Sequence, residues 1–150
     1  MYEDYRSQVM FFCGNDPDCI EFNSERALQK AMAVVDEHYS VVGILEDLNG
    51  TFQALENYVP RFFKNINSRF NKAKEEVKNK NYNPNKKRIP NTLRKTLEHK
   101  FSNDFEFYDF CKQRLHMQMK ISQELSTKEI DVETAREISD TNQNRKFILL

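Results

Sequence analysis

Glycine and proline are scarce, with three Gly and four Pro in 150 residues. That scarcity argues against a turn-rich β sandwich and favours long helices. Long apolar runs are missing too, so no segment reaches the length of a membrane span. No signal-peptide pattern opens the sequence, and taken literally the polypeptide is expected to stay in the cytosol. Only three histidines occur, and none has Cys, Asp or Glu neighbours at metal-ligand or triad spacing. His38 ends a helix, where the dipole explains it; His99 lies in a basic segment and His116 in the last strong helix. All three read as structural or surface groups, and neither a catalytic base nor a metal site is expected among them.

What is present fits one domain with a modest core. An apolar fraction of 39% against 31% charged is thin for a self-sufficient fold. Twelve Phe and six Tyr compensate, because each buries a large area. The 23 basic and 23 acidic residues cancel overall but are unevenly placed. Residues 61–100 hold thirteen Lys and Arg against three acidic residues, a net of +10, and the remaining 110 hold ten against twenty, a net of −10. A basic block between acidic flanks suits a polyanion such as nucleic acid, a sulfated sugar or a phosphate-rich cofactor. It equally suits a solvated basic loop balanced by its own neighbours.

Along the chain, Val9-Met10-Phe11-Phe12 is followed by a turn, Gly14 to Asp18, between Cys13 and Cys19. Asn23 or Ser24 is a good N-cap, and Ala27, Leu28, Ala31, Val34, Val35 and Tyr39 then recur at helical spacing. Val41–Leu45 is a short apolar run that predicts a strand buried on both faces of a parallel sheet. A lone strand makes no sheet, and no second run of that quality is apparent, so its partners are expected in a larger α/β domain. Asp47 or Asn49 can cap a further helix carrying Phe52, Leu55, Tyr58, Val59, Phe62 and Phe63, broken near Pro60. Residues 64–91 read as a surface loop with a helical piece near 68–79, and Thr92–Lys100 as a short helix. Ser102 or Asn103 then caps a longer helix with Phe105, Tyr108, Leu115 and Met119 on one face. Beyond Ser122 the pattern is polar and weak, with one more helix expected near 127–139. The boundaries drawn are 1–125 for a domain portion and 126–150 for a polar tail.

Three pieces resemble the uronyl and heparan-sulfate 2-O-sulfotransferases, the Pipe-like enzymes included. The first is Phe11-Phe12-Cys13-Gly14 with Cys19, followed by Asn23 to Leu28. The second is Val41 to Leu48, running into Leu55-Glu56 and Val59-Pro60-Arg61-Phe62-Phe63. The third is Leu93-Arg94-Lys95-Thr96, followed by Asn103 to Phe110. Their order and spacing match the family's C-terminal portion across about residues 9–118. The resemblance implies the C-terminal part of a P-loop-like α/β sulfotransferase fold, mostly helical here with one or few short strands. It also implies sulfuryl transfer from 3′-phosphoadenosine 5′-phosphosulfate (PAPS) to the 2-hydroxyl of a uronic acid. A base and cationic donors to the transferring group are needed for that. In the family the base is a His preceding the cysteine pair, and the expectation is that neither it nor the 5′-phosphosulfate loop lies in these residues.

On the same resemblance, Arg94, Lys95 and Thr96 border the nucleotide end of PAPS. Arg94 suits a two-pronged bond to phosphate or sulfate, Thr96 a hydroxyl bond, and Lys95 adds potential. His99 stands where relatives are expected to carry Lys. Lys86, Lys87 and Arg88 are expected to attract sulfated glycosaminoglycan. Cys13 and Cys19 resemble the family's disulfide, which needs an oxidising lumen such as the Golgi; in a reduced cytosol they would be free thiols. Cys111 reads as a small buried hydrophobe, and Phe62, Phe63, Phe105, Phe107, Tyr108 and Phe110 as core. Asn49-Gly50-Thr51 is an N-glycosylation sequon. Two functions compete: a 2-O-sulfotransferase portion, inactive by itself, or a non-catalytic derivative that binds a polyanion or partner, in either case as a possible homo-oligomer. A nucleic-acid role rests on the basic block alone and is not expected, since no binding-fold signature accompanies it.

Overall fold

The computed structural model describes residues 7–76, 89–127 and 146–149. In order these are α1 (Gln8–Cys13), α2 (Glu25–His38), β1 (Tyr39–Gly43), α3 (Leu48–Tyr58), α4 (Pro60–Phe63), α5 (Ile66–Glu76), α6 (Asn91–Lys100), α7 (Ser102–Thr127) and β2 (Lys146–Leu149). Short 3₁₀ turns at Pro17–Cys19 and Leu45–Asp47 join α1 to α2 and β1 to α3. No described helix is long and apolar enough to cross a membrane.

Helix α2 forms where its apolar spacing requires it. Ala27, Leu28, Ala31 and Val35 all reach zero exposure on one face, which is the i, i+4 row expected of an amphipathic helix. Its N-cap is Ser24, without a side-chain bond. The neighbouring Asn23 instead takes a left-handed φ of 58° and caps α7 from across the fold: its Oδ1 accepts the Asn103 amide at 3.0 Å. The six-residue α1 is too short for periodicity to reveal. Ser7 Oγ accepts the Met10 amide at its start. Both Asp104 oxygens bond Ser7 Oγ, and Oδ1 also takes the Gln8 amide at 2.6 Å and the Val9 amide. An acidic side chain there also suits the positive end of the helix dipole.

All five β1 residues are buried, with α2, α3 and α7 packed around the strand. Thr51, itself fully buried, clamps the end of β1. Its Oγ1 accepts the Ile44 amide at 2.8 Å and donates to the Ile44 carbonyl at 3.1 Å. On α7, Arg114 Nη2 donates to the Tyr39 carbonyl at 2.8 Å and Gln118 Nε2 to the Ser40 carbonyl at 2.7 Å. The expectation that β1 finds no partner within the chain is corrected: β2 lies parallel to it. This strand falls in the stretch read as a polar tail, where a four-residue run is too short to stand out.

The α7 pattern is also corrected. Phe107, Cys111 and Leu115 form its fully buried row, while Phe105 is 51% exposed and Phe62 on α4 is 68% exposed. Tyr108, Phe110 and Phe63 pack against the core partly buried. Pro60 starts α4 after a break at Val59, as its missing amide requires, and α5 is the helical piece expected near 68–79, beginning at Ile66. The helix expected near 127–139 lies outside the described residues apart from Thr127, the last residue of α7. Cys13 and Cys19 stand as a disulfide pair with Cα atoms 5.6 Å apart, beside the buried side chain of Phe12.

Candidate functional site

Helix α6 gathers Arg94, Lys95 and Thr96, and every one of its residues is exposed. Its sequence explains this, because Leu93 and Leu97 are the sole apolar residues in the ten. Its packing against α7 is narrow. Pro90 precedes it, and no side chain caps its first turn, so the positive end of the helix dipole opens to solvent. Arg94 Nε bonds Glu98 Oε1 at 2.9 Å, four residues on. Thr96 Oγ1 donates to the Thr92 carbonyl at 3.1 Å. Lys95 and His99 are four apart and so share a helix face. The three expected residues therefore sit on one element but point along different faces. Lys86, Lys87 and Arg88 lie outside the described residues.

Beside α6 a cleft of about 610 Å³ opens between Leu97 of α6, Phe101, and Phe105 and Tyr108 of α7, with Glu46 and Asp109 on its lining. Glu46 arrives from the turn that leaves the carboxyl end of β1, the position at which crevices of open α/β sheets form. Tyr108 Oη donates to Glu46 Oε2 at 3.0 Å. Burial, then the hydrogen bond and charge of Glu46, then the charge of Asp109 push the Tyr108 phenol above its ordinary value. Asp104 also borders the cleft, but its oxygens are engaged by α1. The carboxylates of Glu46 and Asp109 make this cleft repel anions, whereas Lys95 on α6 attracts them.

His116 Nε2 stands 3.4 Å from Asp47 Oδ2, and Asp47 Oδ1 caps α3 by accepting the Gly50 amide at 3.0 Å. Sequence spacing could not reveal this pair, nor Glu46 with Tyr108 across 62 residues. The usable signal was the adjacent acidic pair at the end of the apolar run. Among the described residues no group of three His, Cys, Asp or Glu side chains could hold a metal ion. Asn49 is exposed on α3.

The chain is 42% identical over 116 residues to the uronyl 2-sulfotransferase homolog pip of Drosophila melanogaster, covering 77% of this chain and 23% of that protein. Human uronyl 2-sulfotransferase is 33% identical over 111 residues, covering 73% and 27%. Heparan sulfate 2-O-sulfotransferase 1 of Gallus gallus is 29% identical over 107 residues, covering 69% and 29%. The chain thus spans between 23% and 29% of the length of these relatives. No solved structure matches. Residues 3–111 match the sequence profile of the sulfotransferase family, which takes in α1 to α6 and the first turns of α7; the chain belongs to that family.

Proposed function

We propose that this chain is the portion of a glycosaminoglycan uronyl 2-O-sulfotransferase that holds anionic ligand along α6. One observation carries the reading: an exposed, cation-bearing helix with an uncapped N-terminus lies within the family-matching stretch, beside a cleft of opposite charge. PAPS would supply the sulfuryl group. The α6 residues fit one of its phosphates: Lys95 provides potential, and Arg94 presents a planar donor set once it exchanges Glu98 for phosphate. Thr96 Oγ1 donates to the Thr92 carbonyl in this geometry, so its hydroxyl reaches phosphate only by exchanging that bond. Glu46 and Asp109 keep a polyanionic sugar on the α6 side. The P-loop-like architecture belongs to the same proposal, supported by the family match, as does the Golgi lumen, supported by the Cys13–Cys19 pair. On the route to that lumen, Asn49 would be modified before folding, because the sequon's Thr51 is fully buried.

The deciding experiment places Arg94→Ala and Lys87→Ala in the longest native form of the protein and measures nucleotide binding by calorimetry. Arg94→Ala is expected to weaken binding about tenfold, the scale of one charge-assisted bond, and Lys87→Ala by less than twofold. Equal, small effects overturn the site. The 150 residues alone are expected to show no sulfuryl transfer, none of their histidines being placed as base; turnover by the purified chain overturns that.

A further inference from the structure

The partner of β1 comes from outside the family-matching stretch. That stretch ends at residue 111, yet β1 lies inside it and pairs with Lys146–Leu149. The two sides of this pairing are held very differently. β1 has holds besides β2: Arg114 and Gln118 take the carbonyls of Tyr39 and Ser40, and Thr51 takes both backbone groups of Ile44. Helices α2, α3 and α7 pack around it. β2 is four residues long, shorter than the usual strand, so its few ladder bonds barely offset the entropy of ordering it. The register pairs Val41 with Phe147, Val42 with Ile148 and Gly43 with Leu149, with an irregularity between Tyr39 and Val41. The acceptor is therefore preformed, and the donor is marginal.

We propose that the edge of β1 is a strand-accepting surface for a parallel, apolar extended segment, and that Lys146–Leu149 of the same chain is its detachable occupant. Nothing in this depends on sulfuryl transfer. An exposed strand edge is a pairing hazard, and tethering the occupant raises its effective concentration enough to exclude competitors from solution. Removing the occupant frees the edge for a peptide of the same chemistry.

The test uses the full chain and its Ile148→Pro variant, whose missing amide blocks the ladder, with a fluorescent peptide of residues 143–150 as probe. The folded variant is expected to bind the peptide at least about tenfold more tightly than the wild type, where the tethered strand competes. A peptide carrying the same proline is expected not to bind. A variant of wild-type helicity that binds no peptide overturns the proposal, as does equal binding by both chains. A wild type that dimerises through β2 overturns assignment to the same chain. Should the variant fail to fold, amide exchange on the wild type decides. Exchange of the β2 amides at least about tenfold faster than those of α2 supports a detachable strand, and loss only on global unfolding refutes it.

Discussion

Cys111 shows how far a single side chain can be read from its neighbours along the chain. Set among aromatic residues on a helical pattern, it is legible as a small buried hydrophobe, and its exposure is zero. Burial, which outweighs the favourable charge of Arg114, pushes the thiol from 9.0 up to about 12. The unfolded thiol loses its proton first as pH rises, so the unfolded state then binds fewer protons than the folded one. The resulting stability is complete below pH 9 and is lost as pH approaches 12, with a slope of about 1.4 kcal/mol per pH unit. Urea unfolding between pH 8 and 11 should show this excess slope in the wild type and not in Cys111→Ala. Asn23 marks the opposite limit. It is legible as a cap, but for the helix that follows it. Instead its left-handed backbone turns the side chain toward α7, a choice that only the tertiary fold dictates.

Among the elements, α2 and β1 are legible because burial imposes a clean pattern on them, a 3.6-residue period in one and a continuous run in the other. α1 and β2 are not, since six and four residues carry too few repeats to establish any period. Phe107, Cys111 and Leu115 of α7 are each legible as core, but the exposure of Phe105 is not, because that helix has aromatic residues on several faces; which of them packs inward depends on α1 and α2, whose positions no local pattern records. The candidate site is legible as a basic stretch, while its acidic cleft arises from residues 62 apart. Helix α6 has no buried residue and packs narrowly against α7. Its amides are therefore expected to exchange at least about a hundredfold faster than those of α2 in native-state hydrogen exchange. Equal protection would mean that α6 is held as firmly as the buried α2.

For the molecule as a whole, zero net charge conceals a separation of +10 and −10 along the sequence. Heparin binding by the chain should therefore weaken steeply between about 0.05 and 0.5 M salt, as screening shortens the reach of the basic segment. A matched-charge DNA that binds equally well would show attraction by charge alone and no preference for a sulfated sugar. The same global view gives the Asp104 bond its consequence. It joins α1 to α7 across 97 residues of chain, whereas Cys13 and Cys19 are six apart. During synthesis at about 5–20 residues per second, α1 emerges roughly 5–20 s before the carboxylate that fixes it. In an oxidising lumen the cysteine loop can close in that interval, so α1 is cross-linked locally and then waits for its anchor.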